Sequence, residues 1–534
     1  MSTGTVNDLT PGDPGESPSA LLDWRAPDPY GVASVPWQGL RVCVVGARVV
    51  GISAAYALLG LGAEVLLCDR YDDAETAERA APVAERGATL RLGDDQTLPA
   101  DCELLVVVPG IPPTAPIVAA AREAGLPVWG DAELAWRLRR PLPDGTHAPW
   151  LGLTGTNGKT TAVRMLAAML EAAGRRAVAC GNVGFPLVDA VLAEEPYEVL
   201  AIELSSYQLY WSDSLSLLAG AVLNVAPDHL DWHGSMAEYV AAKAKIYAHC
   251  QVACVYNVAD KVTEHMVEEA EVEEGCRAIG FTLGAPGLSM IGVVDGILAD
   301  RAFIADRRTA AAELGTIFDV EPHAPHNIAN ALAAACLARA YGVPVEAVRD
   351  GLRDFRPDPH RIEFVAVLDG VDYVDDSKAT NTHAAAASLA SYEHIVWIAG
   401  GLAKGAAFEE LVGRAAKRLR GVVLLGQDRA VIASALAEKA PDVPVVDIGG
   451  ADTGLDAAST VEAMLDAAAG LAERGDTVLL APACASMDLF ASYNQRGDMF
   501  AAAVRERKAK ADAADQADAV SRPGAADQAD LADE

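Results

Sequence analysis

Short apolar runs recur along the chain, and many close on a small-residue turn followed by a stretch with helical spacing. Residues 40–45 form one such run, leading through a glycine turn into a helical stretch over 52–61. The runs at 64–68 and 103–108 continue the pattern, the first ending at Asp69 and the second at Pro109-Gly110. Others lie at 199–203, 371–374, 396–401, 421–426 and 477–481. Continuous apolar strands alternating with amphipathic helices predict an α/β fold, with parallel sheets covered on both faces. The Pro- and Gly-containing stretch 140–149 reads as a linker, and Arg356-Pro357-Asp358-Pro359 as a second boundary. At 534 residues the chain exceeds a single core, so three domains are expected, at 36–147, 148–357 and 358–507. The polar ends, 1–35 and 508–534, read as a disordered extension and a disordered tail.

The densest chemistry opens the second block. Leu151-Gly152-Leu153 leads into Thr154-Gly155-Thr156-Asn157-Gly158-Lys159-Thr160-Thr161 and then an amphipathic run. A strand, a small-residue turn and a helix start in that order surround a phosphate with free backbone N–H groups. Lys159 reaches the outer phosphates and a threonine hydroxyl can hold Mg²⁺. Leu153 stands where the common phosphate-loop pattern has its first glycine. A nucleoside triphosphate is the expected ligand.

Composition narrows the partners. The formal charge of −33 excludes the basic face that nucleic acid demands. No apolar run reaches the length that crosses a bilayer, and the start of the chain lacks the basic and apolar parts of a signal peptide. Nine cysteines scattered through apolar stretches read as reduced, buried thiols of a cytoplasmic protein.

Other motifs sit at strand ends, where open α/β sheets place their ligands. Gly46-Ala47-Arg48-Val49-Val50-Gly51 resembles a dinucleotide turn with Arg48 in place of its second glycine, and Asp69 stands about 20 residues later, where a ribose-binding acid falls. On these residues alone a purely structural turn is as good a reading. Glu203 closes an apolar strand and is placed to share Mg²⁺ with the phosphate loop, or is a surface carboxylate. His229, in Pro227-Asp228-His229-Leu230-Asp231-Trp232-His233, reads by itself as a packed or surface histidine. Lys243 and Lys245, in the helical run 236–247, read as a solvated face. Asn327 and Asn330 open an Ala-rich helix, where they either cap it or meet a purine. His360-Arg361, the polar loop Asp375-Asp376-Ser377-Lys378-Ala379-Thr380-Asn381, the Gly-rich turn carrying Lys404, and Pro482-Ala483-Cys484-Ala485-Ser486 complete the set. Several such loops in two domains predict a cleft between them.

Taken together, residues 37–505 resemble the Mur ligases of peptidoglycan synthesis, with six motifs in consistent order. The loops Glu203-Leu204-Ser205-Ser206-Tyr207-Gln208-Leu209, Asp376 to Asn381 and Pro482 to Ser486 are similar to those of the D-glutamate-adding branch. The resemblance implies a Rossmann-like N-terminal domain for the UDP-substrate, a P-loop ATP-binding central domain and a Rossmann-like C-terminal domain for the amino acid. It implies ATP-dependent ligation of D-glutamate to UDP-N-acetylmuramoyl-L-alanine through an acyl phosphate, in the cytoplasm, by a monomer.

The resemblance also implies residue roles. ATP falls to Gly155, Thr156, Asn157, Gly158, Lys159, Thr160, Thr161, Asn327, Asn330, Arg361 and Asp376. The catalytic group is Lys159, Glu203, His229 and Lys243; among the metal-binding residues Thr160 and Glu203 share one Mg²⁺, His229 binds a second, and Lys243, carried as a carbamate, supports the metal. Val49, Val50, Asp69, Asn182 and Ser205 fall to the UDP-substrate, and Lys378, Thr380, Lys404, Ser486 and Tyr493 to D-glutamate. Arg48 and Val50 depart from the family's small residues in the UDP turn, either pairing with the diphosphate or crowding it. The alternatives are another amino-acid-adding ligase of this type and a non-catalytic nucleotide-sugar-binding paralogue.

Overall fold

The computed structural model describes residues 23–31, 34–357, 359–450, 453–454 and 456–521. Its first apolar run, Arg41–Val45, lies at the centre of a five-stranded parallel sheet, between Glu64–Asp69 and Leu104–Val107. A strand covered on both faces needs no alternation of polar and apolar positions, which is why it reads as a continuous run. The turn into helix Val49–Gly60 is tight: a Cβ on Gly51 would run into the Gly46 carbonyl oxygen.

The second sheet has nine strands, with Trp150–Thr154 between Val199–Glu203 and Ala219–Val222. Helices Lys159–Ala172, Pro325–Tyr341 and Val345–Asp354 contribute to one continuous core on this sheet. The third sheet has six strands and includes Val371–Asp375, Thr477–Leu480 and Ile395–Gly400 as parallel neighbours. All three sheets therefore bring the C-terminal ends of parallel strands, and the loops that follow them, to one rim each.

Two parts of the sheets are not parallel. Met290–Val294 pairs antiparallel with Ile297–Asp300, which pairs antiparallel with Ala312–Thr316, and Glu363–Leu368 pairs antiparallel with Val371–Asp375. Two of these connections are two-residue hairpins, Asp295-Gly296 and Asp369-Gly370. Their φ values of 49° and 80°, and of 53° and 79°, are those of the primed turn that suits strand twist.

Both ends depart from the expectation of disorder where they are described. Trp24 is buried edge-on against Trp129, with ring centres 5.8 Å apart. Asp28 is buried, its N–H donating to Ser214 Oγ at 2.8 Å and its carbonyl accepting from Trp136 Nε1 at 3.2 Å. Apolar burial and a satisfied backbone hold this segment despite its polar composition. At the other end, helix Tyr493–Ser521 passes straight through residue 508. Its Ala, Lys, Arg and Glu residues favour helix, and Glu506–Lys510 and Lys508–Asp512 are ion pairs one turn apart. Residues 1–22 and 522–534 lie outside the described residues.

Candidate active site

Strand Trp150–Thr154 is buried along its whole length and delivers the loop 155–158 to the rim, with helix Lys159–Ala172 starting directly after it. Gly158 has φ 84°, and a Cβ there would strike the Asn330 side chain, so loop and Ala-rich helix meet at a position that suits glycine. The loop's other side is fastened to the next strand end. Thr156 N donates to Asn224 O at 3.0 Å, Asn157 N donates to Asn224 Oδ1 at 2.9 Å, and Asn224 Nδ2 donates to Asn157 O at 3.0 Å. Thr156 Oγ1 lies 3.0 Å from Tyr239 Oη.

The charged groups converge on this loop. Lys159 Nζ donates to the carbonyls of Gly155 at 2.9 Å and Thr156 at 3.0 Å, and burial lowers its pKa. Glu203, buried at its strand end, accepts from Thr160 Oγ1 and from Asn182 Nδ2, each at 2.9 Å. A carboxylate and a hydroxyl beside a phosphate loop are hard oxygen donors of the kind Mg²⁺ selects.

Lys243 is 1% exposed, not solvated as its helix position alone suggested. Its Nζ donates to Gly155 O at 2.8 Å and lies 4.6 Å from the centre of the Tyr239 ring. Burial, reinforced by Lys159, pushes its pKa well below the ordinary lysine value. His229 starts a short helix at φ 54°, with burial lowering its pKa. Its ring packs 4.8 Å from that of Tyr207.

The third sheet completes the cleft from the other side. Arg361 stands between two residues of positive φ, His360 at 64° and Ile362 at 51°, and lines the same cavity as the phosphate loop. His360 Nδ1 is 2.7 Å from Asp375 Oδ2, a contact that raises the histidine's pKa and fixes this turn to its strand. Asp376 is buried, bonded to Ser388 Oγ and accepting from Ile362 N at 3.3 Å, and burial raises its pKa to about 6. Lys378 Nζ sits 3.8 Å over the centre of the Tyr493 ring.

A cleft of ≈ 1290 Å³ is lined by both halves. It brings together Thr156, Asn157, Gly158, Lys159, Thr160, Thr161, Asn182, Glu203, Asn327 and Asn330 with Arg361, Asp376, Lys378, Thr380 and Tyr493. Gly155, His229 and Lys243 lie behind or beside the loop, outside that lining. Ser205 caps helix Ser206–Tyr210 in a reciprocal capping box with Gln208. Lys404 and Ser486 stand on adjacent loops joined by the Leu402–Ala485 bridge, and neither lines the cleft. Val49 and Val50 open the first helix of the N-terminal sheet, with Val49 exposed. Both carboxylate oxygens of Asp69 are engaged by backbone, accepting from Ala47 N at 2.7 Å and Tyr71 N at 3.0 Å.

One side chain in the cleft, His383, was not singled out from sequence. Its Nδ1 lies 2.9 Å from Asn157 Nδ2, and Asn381 Nδ2, from the polar loop 375–381, lies 3.4 Å from Asn157 Oδ1. The position of His383 two residues after that loop was the available signal.

A phosphate loop facing a lysine-bearing loop of a second α/β unit is the layout of an ATP-using ligase that joins two substrates across a cleft. The sequence matches the Mur ligase middle domain over residues 153–338 and the Mur ligase glutamate ligase domain over residues 360–484. The chain belongs to the Mur ligase family. It is 63% identical to the UDP-N-acetylmuramoylalanine–D-glutamate ligase of Streptomyces avermitilis, over 88% of this chain and 98% of that one. The enzyme of the same name from Leifsonia xyli is 49% identical over 95% of this chain and 98% of its own, and that from Mycobacterium bovis 45% identical over 88% and 96%. Two solved structures share the fold. Thermotoga maritima UDP-N-acetylmuramate-alanine ligase MurC matches with TM-score 0.51 and 16% identity, over 88% of this chain and 99% of that one. MurF of Acinetobacter baumannii matches with TM-score 0.52 and 18% identity, over 82% and 89%.

Proposed function

We propose that the chain is an ATP-dependent ligase that adds D-glutamate to UDP-N-acetylmuramoyl-L-alanine, as a cytoplasmic monomer making peptidoglycan precursor. The observation that carries the reading is the single cleft in which the phosphate loop and Glu203 face Arg361, Lys378 and Thr380. Long, high-identity likeness to ligases of that name selects the D-glutamate reaction over other amino-acid additions.

The carboxylate of UDP-N-acetylmuramoyl-L-alanine attacks the γ-phosphorus of ATP, ADP leaves, and an acyl phosphate forms. The amine of D-glutamate then attacks the acyl carbon, phosphate leaves, and an amide remains after the amine loses its proton. Lys159 offsets charge on the transferring phosphoryl group. Thr160 and Glu203 would hold Mg²⁺, which supplies charge neutralisation and in-line orientation of the phosphates. Thr161 and the loop 155–158 hold the phosphates, while Asn327, Asn330, Arg361 and Asp376 receive the rest of the nucleotide. Asn182 and Ser205 stand on the side from which the UDP-substrate carboxylate enters. Lys378, Thr380 and Tyr493 receive D-glutamate, with Lys404 and Ser486 reaching it from the neighbouring loops. Two lysines offset a dicarboxylate locally against the acidic background.

Lys243 would act as a carbamate formed with CO₂, an anion that supports the metal, and His229 would hold a second Mg²⁺. Only a neutral amine adds CO₂, and burial, with Lys159 beside it, shifts Lys243 in the direction of that form. The change also turns repulsion from Lys159 into attraction. Product mass tests the reading: D-glutamate adds one glutamyl residue to UDP-N-acetylmuramoyl-L-alanine, whereas L-glutamate, L-alanine and diamino acids leave it unchanged. A product formed with one of those others would replace the D-glutamate assignment.

A further inference from the structure

A second cavity, of ≈ 380 Å³, lies at the opposite end of the phosphate-loop strand. Trp150, which opens that strand, forms part of its wall, as do Tyr30, Trp136, Arg139, His147 and Gln251. It therefore sits at the N-terminal edge of the central sheet, with walls from the N-terminal segment, the end of helix Asp131–Leu138 and the inter-sheet connection 140–149. None of its lining is shared with the active-site cleft.

Two of its polar groups, on Arg139 and Trp150, are not used up by the fold. Arg139 and Arg137 stand two residues apart and differ in this respect. Arg137 is paired with Glu133 at 2.9 Å and Asp28 at 3.8 Å and donates to Ala26 O and Ser214 Oγ, each at 2.7 Å. Among the described residues the Arg139 side chain makes one hydrogen bond, Nε to Trp136 O at 2.9 Å, with its guanidinium carbon 3.1 Å from the centre of the Trp136 ring. Among the described residues no carboxylate comes within ion-pair distance of it, and neither terminal nitrogen donates to protein. Burial lowers its pKa to about 9, with Arg137 adding to the effect and the carboxylates of Asp28 and Glu133 opposing it from beyond ion-pair distance.

Trp150 is 1% exposed, and its indole N–H has no partner. A buried donor left unpaired costs free energy, and so does a partly buried cation with no anion paired directly to it. Glu273 on the rim is already engaged, accepting from Tyr30 Oη at 3.2 Å and facing His249 Nδ1 at 3.4 Å. Burial and Arg139 lower the pKa of His147, which keeps its ring neutral around pH 7.

We propose that this cavity is a separate ligand site that takes a small carboxylic acid with a compact apolar body. The carboxylate pairs with the terminal nitrogens of Arg139, and the body rests among Trp150, Trp136, Pro149 and Leu218. The cavity volume falls in the range of small-molecule sites, and its walls set the aromatic and apolar faces of Trp136, Trp150, Pro149 and Leu218 beside the Arg139 cation. Because the site bridges the N-terminal and central sheets, its ligand tightens their junction without touching the nucleotide cleft.

The test uses the full chain labelled with 5-fluorotryptophan, with the Trp150 resonance assigned through Trp150→Phe. Phenylacetate is titrated against its neutral isostere phenylacetamide. The Trp150 resonance moves saturably with phenylacetate and binds phenylacetamide at least roughly tenfold more weakly, as loss of a charge-assisted pair predicts. Arg139→Gln weakens phenylacetate to a similar degree while ATP affinity is retained, which also shows that the variant is folded. A Trp150 resonance that does not respond, or responds equally to both compounds, overturns the proposal. The second comparison needs no variant and so stands if Arg139→Gln fails to fold.

Discussion

Asn157 Nδ2 of the phosphate loop lies 2.9 Å from His383 Nδ1, across the cleft that separates the central and C-terminal sheets. Asn381 Nδ2 approaches the other end of the same amide, Oδ1, at 3.4 Å. The amide nitrogen only donates, so His383 Nδ1 accepts and its ring is neutral, in keeping with the lowering of its pKa by burial. The backbone of Asn157 is meanwhile fixed by Asn224. One residue thus ties the geometry of the phosphate loop to the position of the domain that receives the amino acid. His383→Ala removes about one hydrogen bond's net contribution, so kcat/KM for D-glutamate falls roughly fivefold. ATP affinity measured without D-glutamate changes less, and an equal loss in both would reduce His383 to a packing role.

Lys243 offers a chemical test of the carbamate. Lys243→Ala loses activity by about a hundredfold or more, the scale of removing a preorganised charge. Short carboxylates such as formate and acetate restore part of it by entering the space left behind. Full activity in the alanine variant would show that neither the lysine nor its carbamate takes part.

Arg48 is exposed at the start of helix Val49–Gly60, with no side-chain cap bond. A cation at a helix N-terminus adds to the field that attracts a diphosphate. Arg48→Gly therefore weakens UDP-substrate binding by about two- to fivefold, the range of an exposed pair, and leaves ATP binding unchanged. Titration of the two ligands separately checks this. An effect on ATP alone would misplace the turn.

His326, on the nucleotide side of the cleft, has its pKa lowered to about 4 by burial, with Arg361 adding to the effect. Its folded pKa is thus below the unfolded value of about 6.5. As pH falls below about 6.5 the unfolded chain takes up the proton first, so stability is lost down to about pH 4 and is complete above 6.5. His326→Gln removes this proton linkage. Thermal melts of variant and parent at about pH 4.5 and 7.5 give a relative gain for the variant at the acid end, where the linkage acts. A constant difference across that range would contradict the assignment.

Much of the fold could be read from the chain because parallel strands buried on both faces announce themselves as unbroken apolar runs. The ends of these strands and the turns that follow carry Glu203 and Lys159, so the central side of the cleft came with the strands, whereas Arg361 lies ahead of the antiparallel strand Glu363–Leu368. The antiparallel hairpins were missed although Asp295-Gly296 and Asp369-Gly370 are strong turn signals between apolar stretches. The N-terminal segment was misread because composition averages over Trp24, the side chain that anchors it. Burial of Lys243 was invisible to helix periodicity, since it depends on Tyr239 and on a loop distant in sequence. The pairing of His383 with Asn157 spans more than two hundred residues and arises only when the two sheets come together.

The central claim is that one cleft couples ATP cleavage to D-glutamate addition. Phosphate release by the purified chain with ATP, Mg²⁺ and UDP-N-acetylmuramoyl-L-alanine, with and without D-glutamate, tests it most directly. Sustained release that requires D-glutamate and is not supported by L-glutamate is the result this account predicts. ATP binding without release in the presence of D-glutamate, or release indifferent to the amino acid, would contradict it.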